Sequence, residues 1–382
     1  MTGVSECSQQ RGNLKDNRYK LHFNNVEVHM TDFHRFNSHL FQVMDWHFSP
    51  ETGTPFWLEK CKTLDFDPLQ DVRTFSDLML FPDITDELRD VPVESLVPRG
   101  LKGAVIAGIF ESGGTTGRPK RVVVFEEWLE QLITWRLNDI QIINKRAVKN
   151  TLALVPSGPH VIGAISRFRA RFSGGYFFTI DLDPRWVKKM IQQGDTTGVD
   201  AYCEHIIDQA EDIINTQHIS YLIITPPLLE RMVRRAALVS HLNKTLDLIV
   251  WGGTHMDPDT LACLQSSIFP DVKITASYGS TMILGESKSR DGQDFDGSPI
   301  FDSFAPNVLF DVIDPLTQKP VPFGERGQVV MNCLSKFALF PNMLERDTAV
   351  RLPRIDNYPG AAVALVRPVE EISGQAVIEG VY

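Results

Sequence analysis

Long apolar runs are missing from this chain. None of its 382 residues lies in a stretch approaching the ~18 apolar residues that a membrane-crossing helix needs. The first residues, MTGVSECSQQRGNLKDNRYK, lack the apolar core of a secretion signal and read as a loose polar tail over 1–25. No Lys/Arg cluster forms a basic stripe, and the net charge is -10, so no nucleic-acid or membrane surface is expected. Cysteine is scarce: Cys7, Cys61, Cys203, Cys263 and Cys333 are odd in number and widely spaced, with no CxxC pair. They read as reduced thiols of a cytoplasmic protein. Cys203 and His205 in YCEH have no further ligands nearby, which leaves them as ordinary helix residues rather than a metal site. Repeats and low-complexity tracts are also missing.

What is present is an ordinary globular composition, 43% hydrophobic and 23% charged, enough for a sizeable core. From Thr151 onward, short apolar runs recur between helical patterns. TLALV (151–155), YFFTI (176–180), YLIIT (221–225), LDLIV (246–250) and VKITA (272–276) read as buried strands. Asp183-Pro184, Pro227 and Asp257-Pro258 read as helix starts. Such alternation predicts an α/β core, a parallel sheet flanked by helices, with ligands beyond the carboxyl ends of the strands. After Phe301 the pattern changes. VLFDVID (308–314) and GQVVM (327–331) predict strands joined without a helix, a small β-rich subdomain. The expected organisation is a polar tail over 1–25, an α/β core over 26–300, and a β-rich part with a short tail over 301–382.

The segment ESGGTTGRPKRVVVF (111–125) places a small-residue, hydroxyl-rich loop between two apolar runs. It contains neither Gly-Lys-Ser/Thr nor GxGxxG, so it is not a Walker loop or a dinucleotide fingerprint. Its chemistry still suits phosphate. Glycines let backbone N–H groups converge on an anion, Ser112, Thr115 and Thr116 add hydroxyls, and Lys120 adds charge. A plain hairpin turn with surface hydroxyls fits the same residues.

SGGTTGRPK closely resembles the signature loop of the adenylate-forming superfamily of acyl- and aryl-CoA ligases, peptide-synthetase adenylation domains and luciferases. Ser112, Thr115, Thr116, Gly117 and Lys120 match it, with Gly113 in place of the usual hydroxyl residue. Five more segments follow in the family's order: LVPSGPHVIG, WGGTHM, ASYGSTMILGE, GERGQVV and LERDTAVRL. FWLEKCKTLDFDP looks most like the phenylacetate–CoA ligase branch, and the chain is similar to stand-alone adenylating proteins of phenazine antibiotic pathways.

The resemblance implies ATP and Mg²⁺ as cofactors and a carboxylic acid, aromatic in that branch, as substrate. It implies ATP or AMP binding by Ser112, Gly114, Thr115, Thr116, Gly117, Gly252, Gly253, Thr254, Ser277, Tyr278, Gly279, Ser280, Thr281 and Asp347. Within that set Tyr278 would face adenine, Asp347 the ribose and Thr281 the α-phosphate. Lys120, Thr281 and His160 would carry the chemistry, and His160, Trp251 and Gly252 would line the acyl pocket. Two departures stand out. The family's metal-holding glutamate is Met282 here, which leaves Glu286 as a replacement if residues 282–286 are helical. Few residues follow Asp347 and none is a lysine, so the family's lysine-bearing lid domain is expected to be absent from this chain. Three functions fit: acid adenylation with transfer to an acceptor on a separate carrier protein, complete acid–CoA ligation, or nucleotide binding without catalysis. A homodimer is the assembly that the resembled branch implies.

Overall fold

A computed structural model describes residues 30–112, 118–140, 149–369, 371–372 and 375–376. The polar tail and the loop centre, Gly113 to Gly117, lie outside the described residues.

The first part of the chain is helical: α1 (Met30–Phe48), α2 (Pro55–Lys60) and α3 (Pro68–Asp71), followed by short 3-10 turns. The apolar runs that flank the hydroxyl-rich loop are β1 (Ile106–Glu111) and β2 (Arg121–Phe125), an antiparallel pair leading into α4 (Glu126–Ile140). The alternating region then supplies β3 (Thr151–Leu154), α5 (Val161–Phe172), β4 (Phe177–Thr179), α6 (Pro184–Gln192), α7 (Thr196–Thr216) and β5 (Tyr221–Ile224). It continues with α8 (Pro226–Met232), α9 (Ala236–Thr245), β6 (Leu248–Gly252), α10 (Pro258–Cys263) and β7 (Lys273–Ser277). All five predicted strands form one parallel sheet in the order β4-β3-β5-β6-β7.

Local chemistry sets the helix starts. Asp183 accepts from the backbone N–H of Arg185 and Trp186, Asp257 from those of Asp259 and Thr260, and a proline follows each cap. The remaining predicted start, that of α8, falls at Pro226, one residue before the predicted Pro227, because consecutive prolines fill its first two positions. The strands in the middle of the sheet are buried on both faces, one face packing Leu152, Leu222 and Ile249, the other Val155, Ile223 and Val250.

Beyond β7 come the short strands β8 (Gly279–Ser280) and β9 (Gly285–Glu286), then β10 (Lys288–Phe295), β11 (Ser298–Asp302), β12 (Val308–Ile313), β13 (Arg326–Leu334), β14 (Leu339–Leu352) and β15 (Ala362–Pro368). The last six form a second, antiparallel sheet ordered β10-β11-β15-β14-β13-β12. Residues 281–283 make a 3-10 turn and Glu286 sits on a strand, so the helix that would have put Glu286 on one face with Met282 is not there. Among the described residues no helix is long and apolar enough to cross a membrane, and the described cysteines are free thiols.

The N-terminal helices are pinned to the turn between β13 and β14. His39 meets the Leu334 carbonyl, Trp57 donates to Leu339, and His47 bridges Thr54 and the Ser335 carbonyl. His47 is fully buried, and burial lowers its pKa from 6.5 to about 4. The unfolded chain therefore binds one more proton than the folded chain between those values. Stability is retained above pH 6.5 and falls as the pH drops toward 4, by about 3 kcal/mol for this group. Urea denaturation of the wild type and His47→Leu at pH 7 and pH 4.5 checks this. The variant should lose less stability than the wild type between the two, and equal losses would contradict the assignment.

Candidate functional site

A cavity of about 210 Å³ opens at the carboxyl ends of the parallel strands. Apolar walls come from the end of β3 and the first turns of α5 (Val155, Val161, Ile162, Ile165) and from β5 and β6 (Ile223, Val250, Trp251). Gly252 and Gly253 close the end of β6. A side chain at Gly252 would strike the Ser277 carbonyl at 2.5 Å, and Gly253 has φ +87°. His160 occupies the N-cap position of α5 without capping it through its side chain, and its ring forms part of the wall. Burial, then nearby Arg185, hold its pKa below 6.5, so the ring is neutral at pH 7.

The polar floor is Ser277, Gly279, Ser280 and Thr281 together with Glu286, with Tyr278 beside it. Glu286 is 4% exposed and lies between two equally buried arginines, Arg169 of α5 and Arg136 of α4 at 3.1 Å, while Ser277 donates to its other oxygen. Burial pushes its carboxyl up, but Arg169 and Arg136 outweigh this and keep it below its ordinary value. A carboxylate engaged by two cations is a poor Mg²⁺ ligand, which corrects the expectation for Glu286. Met282 is 1% exposed within the core, so its sulfur is not available either. Among the described residues no group of three or more His, Cys, Asp or Glu side chains could hold a metal ion.

Three side chains of the floor reach out of the parallel layer. Thr281 donates to the Glu111 carbonyl at 3.3 Å, joining the floor to the base of the hydroxyl-rich loop. That base is closed by two bonds: the Ser112 N–H to the Lys120 carbonyl, and the Lys120 N–H to the Ser112 hydroxyl, both 2.9 Å. Tyr278 donates to Asp347 at 2.9 Å, its ring packed on Phe301 and Phe310. Ser280 donates to Glu345 at 2.6 Å. Asp347 and Glu345 both lie on β14, so the two sheets meet across the site. Burial lowers the Lys120 pKa against the pull of Glu345, and burial raises that of Glu345.

The structure thus gathers Ser277, Gly279, Ser280, Thr281, His160, Trp251, Gly252 and Gly253 around one cavity, with Tyr278 and Asp347 paired beside it. Thr254 contacts only the next residue's carbonyl and does not line the cavity. Gly114, Thr115, Thr116 and Gly117 lie outside the described residues. Sequence reasoning missed Glu345, Glu111 and the Arg136–Glu286–Arg169 cluster. A glutamate two residues before Asp347 on a strand was the available signal for the first, because such residues share a face.

A model of the AMP-binding enzyme family matches residues 58–333, more than half of the chain. The chain belongs to the AMP-binding enzyme family. Among solved structures it is similar to 2-hydroxyisobutyryl-CoA ligase in the postadenylation state with R3-HIB-AMP, at 12% identity and TM-score 0.64, over 87% of this chain and 66% of that one. An open conformation of that ligase with 2-HIB-AMP and CoA gives 13% identity and TM-score 0.63, over 88% of this chain and 73% of that one. ATP-bound MatB from Rhodopseudomonas palustris gives 17% identity and TM-score 0.48, over 69% of this chain and 48% of that one. The chain therefore spans about two-thirds of the ligase chain in its postadenylation structure and about half of the MatB chain. The first two likenesses show the fold: a parallel sheet flanked by helices plus an antiparallel β subdomain, as in other members of the AMP-binding enzyme family. No curated protein sequence matches the chain significantly.

The buried cluster beneath the cavity yields a stability prediction. Glu286→Gln leaves two buried arginines without a counter-charge, a loss of about 3–5 kcal/mol. Urea denaturation measures it, and a loss below about 1 kcal/mol would show that Glu286 does not hold the arginines in place.

Proposed function

We propose that the protein activates a carboxylic acid with ATP, forming an acyl adenylate and releasing pyrophosphate. The observation that carries this reading is the apolar cavity whose polar floor is tied by Thr281 to the base of the Ser112–Lys120 loop. An acid lying in the cavity with its carboxylate toward Thr281 meets a nucleotide whose phosphates lie against that loop. A carboxylate oxygen then bonds to the α-phosphorus as the bond to the bridging oxygen breaks, and pyrophosphate leaves. Both reactants are anions, so positioning and cationic charge supply the rate, and Lys120 would fill the second role, as the family resemblance implies. Asp347, on β14 beside the cavity and bonded by Tyr278, would accept the ribose hydroxyls, as the family resemblance implies. Gly114, Thr115, Thr116 and Gly117 would complete the phosphate cradle, as the family resemblance implies. Mg²⁺ would arrive on the ATP phosphates, because the side chains of the floor offer it no free carboxylate.

The acid is aromatic in this reading, in line with the resembled branch. The cavity suits one ring: a cavity of roughly 150 Å³ accommodates benzene. The phenazine-pathway resemblance suggests griseoluteic acid as the specific acid, and because the cavity is open at its mouth its volume is no upper limit on the substrate. The acyl group passes to an acceptor, either CoA or a thiol on a partner protein. In the same reading the α/β core ends near residue 300, and the protein works as a homodimer in the cytoplasm.

ATP–pyrophosphate exchange with a panel of aromatic acids tests the activity, and adding CoA separates thioester formation from adenylation alone. Lys120→Ala should lower kcat by about 10²–10³. Asp347→Ala should raise KM for ATP more than KM for the acid. Tight AMP binding with no exchange for any acid would replace this reading with nucleotide binding without catalysis.

A further inference from the structure

Glu345 of β14 meets the cavity floor from the antiparallel sheet, its carboxylate accepting from the Ser280 hydroxyl at 2.6 Å. That hydroxyl has a second duty. It accepts from the Met282 N–H at 3.2 Å and so caps the 3-10 turn Thr281–Ile283. A hydroxyl carries one proton, and with Met282 as its donor that proton needs an acceptor elsewhere. Glu345 supplies it. The two bonds together fix the Ser280 rotor, and the next residue is Thr281, which lines the cavity.

The turn depends on such an anchor. It closes on the Leu284 N–H, which donates to the Thr281 carbonyl at 3.1 Å, and Leu284 lies at φ +54°, a left-handed conformation that is unfavourable for leucine. Met282 and Ile283, each 1% exposed, hold its far side in the core. Its cavity side is held by Ser280 and by the Thr281 hydroxyl, whose bond to the Glu111 carbonyl is long at 3.3 Å. A phosphate oxygen is a stronger acceptor than a carbonyl and would draw the Thr281 proton to itself. The bond to Glu111 is then given up, and the bond from Ser280 to Glu345 still fixes the cavity side of the turn. Glu345 has a rival role, because its charge favours protonation of Lys120 against the effect of burial. An acceptor for Ser280 needs no charge, and a counter-charge for Lys120 needs no bond to Ser280. A neutral acceptor at position 345 therefore separates the two.

Resting on the adenylation reading above for a nucleotide whose reacting phosphate meets Thr281, we infer that Glu345 is a positioning residue that holds Thr281 toward that phosphate through Ser280. Calorimetric titration of the intact protein with adenosine and with AMP tests this without requiring turnover, because the ratio of the two affinities reads contacts to the α-phosphate. Thr281→Val should lower the AMP-over-adenosine ratio about 10-fold, the low end for one hydrogen bond to a charged group. Ser280→Ala and Glu345→Leu should each lower it about threefold or more, with adenosine affinity unchanged. The double variant should lose no more than the larger single loss, since the two residues make one bond. Glu345→Gln, whose amide oxygen still accepts from Ser280, should not fall below the wild-type ratio. Ser280→Ala and Glu345→Gln decide the test if the leucine variant does not fold. Equal losses in the glutamine and leucine variants assign Glu345 to Lys120 and overturn the inference. So does an unchanged ratio in Ser280→Ala, or a wild type that binds AMP no more tightly than adenosine. Pyrophosphate exchange run in parallel keeps the two readings apart: a ratio that depends on Ser280 and Glu345 without exchange for any acid defeats adenylation alone, and exchange with a ratio indifferent to both residues defeats this inference alone.

Discussion

A carboxylate at 4% exposure cannot stay ionised without counter-charge, and the architecture of the site follows from how Glu286 obtains it. Arg136 comes from α4, Arg169 from α5 and Ser277 from the end of β7. One buried anion therefore links two helices to two strand ends. That link fixes the chain between Ser277 and Glu286, where every outward polar contact of the floor originates. Thr281 reaches the loop base, Ser280 reaches Glu345 and Tyr278 reaches Asp347. The ion pairs gain little net energy over an apolar packing of equal volume, but they restrict how these elements can be arranged.

The fold was legible where hydrophobic patterning is strong. TLALV, YLIIT and LDLIV are buried on both faces and bounded by Pro, Gly or Asp, so their apolar runs announced central parallel strands. YFFTI was found as well, though its strand is only Phe177–Thr179 at the sheet edge, and Tyr176 is exposed. β10 was not read, because KSRDGQDF is polar and largely exposed, so its strand character comes from pairing with β11 and not from burial. The site was legible as segments in order, since WGG and SYGST carry backbone requirements that persist in the letters. Its couplings were not. Nothing in the spacing of residues 136, 169 and 286 says that they meet, because that depends on how α4 and α5 pack against the end of β7.

The same limit explains Glu286, whose role is set by what surrounds it. It has the charge and approximate position of a metal ligand, and the fold gives it two arginines instead. The residue type suggested one chemistry and its neighbours decided another. Partner availability, which composition and periodicity do not encode, was the deciding variable.

The meeting of the two sheets bears on how a nucleotide would enter. Tyr278 and Ser280 already donate to acids on β14, so the site is closed by its own hydrogen bonds before any ligand arrives. A carboxylate offers about four acceptor positions, and the Tyr278 hydroxyl uses one on Asp347. In the proposed complex the ribose hydroxyls would join Tyr278 on Asp347, and the cross-sheet bond would persist through binding. Lys120 and Glu345 differ in this respect. Burial disfavours the charged form of both, so phosphate placed near Lys120 would favour its protonation and compete with Glu345 for it. Under the proposed function the Asp347 side of the site would be preorganised, and the Lys120 side would change its electrostatic partner on binding. Affinity for the nucleoside part would then depend little on phosphate, while affinity for the triphosphate would carry the pH and salt dependence.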